Sequence, residues 1–206
     1  MRTYDGLRSV LRENRRAYLL LNVVVYGVLI AMMIVTPHVP GMREVGQERR
    51  EAFLNAPVLS IVTDAYAYAS GDIMTTTLLT FLANLLFAAL LTTTLPSLVI
   101  PFFGVAATVW RVVEIGMWTA PATIDEGIAV LAVAPVFVIE IQAYVLAALG
   151  SVVLWRSTFE HRRRGLPSAL AGYRAGIGDN LRLYPAIVVL LLGIALIEAV
   201  TYNLLY

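Results

Sequence analysis

Asn84, Arg111, Glu114, Glu140 and Glu198 stand inside stretches that are otherwise apolar. Carboxylates and a guanidinium in such surroundings have two uses. One is an ion or proton path, since ionisable groups at membrane depth carry protons or line routes for ions. The other is structural: interhelical hydrogen bonds, worth about 1 kcal/mol each, and an ion pair that fixes helix order. Arginine stays charged under all accessible conditions and needs an anion, whereas a lone glutamate can take up a proton and remain. Arg111 is therefore expected to pair with Glu140 or Glu198, with Glu114 competing as an i,i+3 neighbour. One arginine neutralises one glutamate, which favours the structural use.

Other chemistries find too few residues. Gly176-Ile177-Gly178-Asp179 matches the Gly-x-Gly-Asp pattern of intramembrane aspartyl proteases, but that reaction needs a second aspartate facing the first. No apolar stretch contains another aspartate, and Asp179 with Asn180 reads as a turn or cap. His38 and His161, the only histidines, are expected on opposite sides of the membrane, so neither a catalytic pair nor a metal site is expected. The chain has no cysteine, and all fifteen basic residues are arginine. A Walker A sequence is absent, so any ATP hydrolysis would come from another protein. No cofactor is expected.

The elements that must carry the polar residues follow from hydropathy. With 59% hydrophobic and 14% charged residues, the 206-residue chain reads as a single integral membrane domain, an all-α polytopic bundle. Apolar runs of roughly 20 residues cross a hydrocarbon layer of about 30 Å as helices. Five are expected, over residues 17–36, 73–95, 98–118, 127–155 and 184–205. Asp72 is the expected N-cap of the second span. Pro96 and Ser97 are expected to turn the chain into the third, with Pro101 in its first turn. A re-entrant pair is the alternative for that third span.

Residues 1–16 repeat Leu7 and Leu11 among arginines and read as an amphipathic surface helix. A secretory signal peptide is the weaker reading, because 17–36 is long for an h-region and no small-residue cleavage site follows. Residues 37–72 should hold one or two short surface helices. After Trp155 a basic stretch places Leu166, Leu170, Tyr173 and Ile177 at helical spacing, as a second surface helix would. Ala143, Ala147 and Ser151 form a small-residue stripe that suits packing within the chain or a homodimer seam.

Eleven arginines fall in the first sixteen residues and the 156–182 stretch, against three, Arg43, Arg49 and Arg50, on the other side. The positive-inside rule puts the N-terminus and the 156–182 stretch in the cytoplasm and the C-terminus outside the plasma membrane. Arg162, Arg163 and Arg164, with Leu170 and Tyr173, then form a cytoplasmic docking element for a partner or for anionic lipid head groups.

Three segments resemble the stage II sporulation protein M family of five-helix membrane proteins: Phe81-Leu82-Ala83-Asn84, the run from Pro135 through Glu140 to Ala143, and Ala195-Leu196-Ile197-Glu198-Ala199. They are similar to the family's aromatic-to-Asn, Pro-His-Gly-x-x-Glu-Leu-Pro-Ala and Ala-x-x-Glu-Ala segments. Val136 and Phe137 replace its His-Gly, and Gln142 its second proline. The resemblance implies a non-enzymatic scaffold that recruits partner proteins at the membrane. Its alternative is the membrane subunit of an ABC-type exporter served by a separate cytoplasmic ATPase. Expected partners are thus membrane or membrane-associated proteins, such an ATPase, and anionic lipids. Nucleic acid is not among them.

Overall fold

The structure is a computed structural model that describes residues 3–55 and 72–205. It is all-helical, with no strand among the described residues. In chain order the helices are α1 (Thr3–Glu13), α2 (Arg15–Val35), α3 (Met42–Leu54), α4 (Ile73–Leu82), α5 (Leu95–Val99), α6 (Phe103–Thr119), α7 (Ile124–Phe159), α8 (Ala169–Leu181) and α9 (Tyr184–Leu205). Between α4 and α5 the chain stays helical but widens into a π-type segment, Ala83–Thr94. Four helical runs are long and apolar enough to cross a membrane: Arg15–His38, Ile73–Val99, Ile124–Phe159 and Ala169–Thr201. The chain is a membrane protein on that basis. The expected span 98–118 corresponds to α6, which has only 17 residues. The surface helix expected after Phe53 and the stop at Ser70 and Gly71 lie outside the described residues.

The bundle is arranged around α7. Its second half, from Ile141 to Ser151, is buried apart from the half-buried Gln142, because α2, α6, α8, α9 and the π-type segment all pack on it. The first half leaves Ile128, Leu131, Val133 and Val138 exposed, as a lipid-facing helix does. At its start the Thr123 hydroxyl accepts from the Glu126 amide, and Asp125 and Glu126 sit in the first turn, where acidic groups offset the helix dipole. The helix therefore begins three residues before the expected 127 and runs four past 155, to Phe159. The Ala143, Ala147 and Ser151 stripe is fully buried inside the chain.

Two expected turns lie elsewhere. Pro96 does not end a helix: it lies within the continuous helical run Ile73–Val99, just after the π-type segment gives way to α5. The reversal falls at residues 100–102, with Ile100 extended and Phe102 in the left-handed region at φ 59°. Pro101 therefore precedes α6 instead of lying in its first turn. The turn is held from several sides. Buried Ser97 Oγ donates to the Thr93 carbonyl at 2.6 Å and accepts from the Gly104 amide at 2.8 Å. Trp155 Nε1 donates to the Ser97 carbonyl at 2.6 Å, and the Tyr173 hydroxyl to the Leu98 carbonyl at 2.8 Å.

Asp72 caps α4 as expected, accepting from the Met74 amide at 3.0 Å and from the Thr75 hydroxyl. The Thr75 hydroxyl, then the backbone amides, hold its carboxyl below the usual carboxylate range.

The closest packing of α8 on α7 is made by small residues and not by the apolar stripe, although Tyr173 of that stripe meets Trp155. Gly172, Gly176 and Asn180, one turn apart, are buried against α7, while Leu170 is 58% exposed. The reason is steric: a Cβ on Gly176 would lie 2.8 Å from the Leu154 backbone, and one on Gly172 would strike the Ser157 carbonyl. Only glycine permits this approach, and hydrophobic periodicity does not register it.

Candidate functional site

Tyr144, fully buried on α7, is the centre of the polar set. One helical turn earlier on the same helix is Glu140, whose Oε1 accepts from the Tyr144 hydroxyl at 2.6 Å. The same hydroxyl lies 3.0 Å from the side-chain amide of Asn84 on the π-type segment. A phenol has one proton. Given to the carboxylate, it leaves the oxygen lone pairs to accept from the Asn84 amide, which can present N–H in that direction. Glu198 on α9 lies within electrostatic range of both Glu140 and Tyr144. Asn84 and Glu140 are thus joined by a residue that the charged positions alone do not point to. Its signal was present in the i,i+4 spacing of Glu140 and Tyr144.

Arg111 does not form the expected ion pair with Glu140 or Glu198. Among the described residues it has no carboxylate partner. Its guanidinium sits over the Tyr144 ring, 5.0 Å from the centroid, with the Phe53 ring at 6.0 Å. Nη2 donates to the Thr92 hydroxyl at 2.8 Å. The phenol stands between cation and carboxylate, its face to Arg111 and its hydroxyl to Glu140, so the two charges are linked through one ring. Glu114 does not pair with Arg111 either. It accepts from Trp110 Nε1 at 3.0 Å and meets Arg49 of α3 at 3.8 Å. The physical reason is common to both: aromatic faces and hydroxyls are closer than the acids, and a guanidinium uses them.

These groups line one cavity of about 680 Å³ that follows α6 from Trp118 to Phe103. The π-type segment contributes Asn84 and Thr92, α7 contributes Glu140 and Tyr144, and α3 contributes Arg49, Arg50 and Phe53. Long π stretches are rare and mark functional positions when they occur. Asn84 and Thr92 of the cavity lining both come from this segment. Of the five expected polar positions, four line this cavity, and Glu198 lies outside its lining, within electrostatic range of Glu140.

A second polar cluster joins the turn after α7 to α8 and α1. Asp179 lies in the last turns of α8, not in a loop, and is buried. It accepts from Arg164 at 2.9 Å and from Arg182 at 2.6 Å, while Arg164 also reaches Glu13 of α1 at 3.4 Å. Arg156 reaches Asn14 at 3.3 Å. Asp179 is therefore occupied by two arginines, and among the described residues no second aspartate is paired with it. Tyr173 stacks edge-on against Trp155 at 5.9 Å while its hydroxyl holds the α5–α6 turn. Arg162, Arg163 and Leu170 remain exposed, as does Phe159. Among the described residues no group of three His, Asp or Glu side chains converges as a metal ion would require. No family model, curated protein or solved structure matches the chain.

Proposed function

We propose that the chain is a five-span, non-enzymatic organising module of the plasma membrane that recruits partner proteins at its cytoplasmic end. The observation that carries this reading is the rigid platform built there. Asp179 ties Arg164 and Arg182, Arg164 ties α1, and glycine packing fixes α8 on α7. Arg162, Arg163 and Leu170 are exposed on it, beside Phe159, whose ring also meets Trp155 and Phe102. A pre-ordered surface loses little freedom on binding, which suits docking. Arg162 and Arg163 also suit anionic lipid head groups at the membrane surface.

The arginine asymmetry orients the module, with the N-terminus and the 156–182 stretch inside and the C-terminus outside. In this reading α6 is the third span, since 17 residues reach about 26 Å, close to the hydrocarbon thickness. α1 then lies along the cytoplasmic surface. A relation to the stage II sporulation protein M family gains support from Asn84 and Glu140, polar members of two of its three segments, meeting on the Tyr144 hydroxyl, with Glu198 of the third within electrostatic range.

Arg162→Glu, Arg163→Glu and Leu170→Glu, combined in the full chain, test the platform by recovery of co-purifying proteins in a gentle detergent. Loss of a partner that the wild type retains is expected. Unchanged recovery from variants that still insert sinks the reading. A cytoplasmic ATPase among the lost proteins would turn it to the membrane subunit of an ABC-type exporter.

A further inference from the structure

The cavity along α6 has the shape and charge of a ligand site. Its length follows from its lining: Phe103 and Trp118 are fifteen residues apart on one helix, roughly 22 Å at 1.5 Å per residue. A volume of about 680 Å³ lies in the range of pockets that enclose a small ligand. The Phe103 end, with Ala106 and Ala107, is apolar, and the charged groups lie from the middle to the Trp118 end.

The lining charges are not balanced. Arg49, Arg50 and Arg111 face Glu114 and Glu140. Glu114 is engaged by Arg49 and Trp110, and Glu140 by Tyr144. Arg50 and Arg111 are left with no ion pair among the described residues. Each rests on an aromatic ring, Arg50 over Trp118 at 4.9 Å and Arg111 over Tyr144 at 5.0 Å. A guanidinium stacked on a ring keeps its N–H edge for a planar or tetrahedral oxyanion. Glu140 lies within electrostatic range of Arg111 across the Tyr144 ring but makes no ion pair with it, so the N–H edge of Arg111 stays open to a further anion.

We propose that this cavity binds a single-chain anionic amphiphile of the surrounding bilayer, its phosphate or carboxylate head on Arg111 and Arg50 and its tail along α6 toward Phe103. The head is held by charge-assisted hydrogen bonds in place of water, and the tail by burial against the alanine and phenylalanine end. Asn84, Tyr144 and Glu140 form the polar wall beside the head. Glu140 is a repulsive element that limits the site to one anionic group.

The test uses the cavity's own tryptophans. Trp110 and Trp118 line it, and Trp155, the remaining tryptophan, packs elsewhere against Phe159 and Tyr173. The full chain carrying Trp155→Phe is placed in zwitterionic lipid nanodiscs and titrated with an alkyl phosphate brominated on its tail. The uncharged brominated alcohol and inorganic phosphate serve as the other probes. Expected is saturable quenching by the alkyl phosphate, not reproduced by the alcohol. Arg111→Gln should weaken it about tenfold or more, the size of one lost charge-assisted bond, and Arg111→Lys should restore part of it. A rise in melting temperature with alkyl phosphate, present in the wild type and absent in Arg111→Gln, checks that the variant is folded and deaf to the ligand. Equal quenching by the alcohol and the phosphate would overturn the proposal. So would unchanged affinity in Arg111→Gln, or displacement by inorganic phosphate at equal concentration, which would make the site one for a free anion.

Discussion

Tyr144 carries two jobs on one side chain, and the jobs are separable. Its hydroxyl holds Glu140 and Asn84, and its ring supports Arg111. Tyr144→Phe should remove the first and keep the second, lowering unfolding stability in detergent by about 1 kcal/mol while leaving the Arg111 perch intact. Glu140→Gln keeps an acceptor for the phenol and should cost less than Glu140→Ala, measured the same way. If the order is reversed, the Tyr144 to Glu140 bond is not what holds this group. The same residues show why Arg111 was misjudged from sequence. Charge counting pairs a cation with an acid, but the nearest soft partner of a guanidinium here is a ring one turn from that acid.

Helix existence was legible, because runs such as 17–36 and 184–205 are too apolar to be anything else and α2 and α9 match them closely. Contacts that leave no hydropathy trace were not. The α7–α8 seam is made by Gly172, Gly176 and Gly150, which carry no side chain for a periodicity to detect. Gly176→Ala should therefore cost about 1–3 kcal/mol by overpacking against Leu154, seen as a lower denaturation midpoint and faster proteolysis of the 160–168 turn. Pro96 misleads in the opposite sense, since a proline inside a helical run beside a π-type segment looks the same in sequence as a proline in a turn. The Asp72 cap, by contrast, was readable and is testable by pH. Its carboxyl is held below the usual range by Thr75, so its contribution is complete at neutral pH and is lost as pH falls through the folded value. Amide exchange at Met74 and Thr75 should quicken in acid, and Asp72→Ala should remove that dependence.

For the whole molecule, the arginine distribution makes a single claim about direction. A reporter active only in the cytoplasm should work when fused after Arg164 and fail after Tyr206, and the reverse pattern would invert every facing assignment. Direction also bears on thickness. α6 and α7 are neighbours of very unequal length, 17 and 36 residues, or about 26 and 54 Å. The perimeter of the protein therefore offers the bilayer no single hydrophobic height. With α6 as the proposed third span, lipids beside it must compress to meet it, while those beside the exposed first half of α7 meet a helix that must tilt to stay covered. Short-chain lipids relieve the first mismatch, so the folded protein should be most heat-stable in thin bilayers and should gather thin-membrane lipids around its α6 flank.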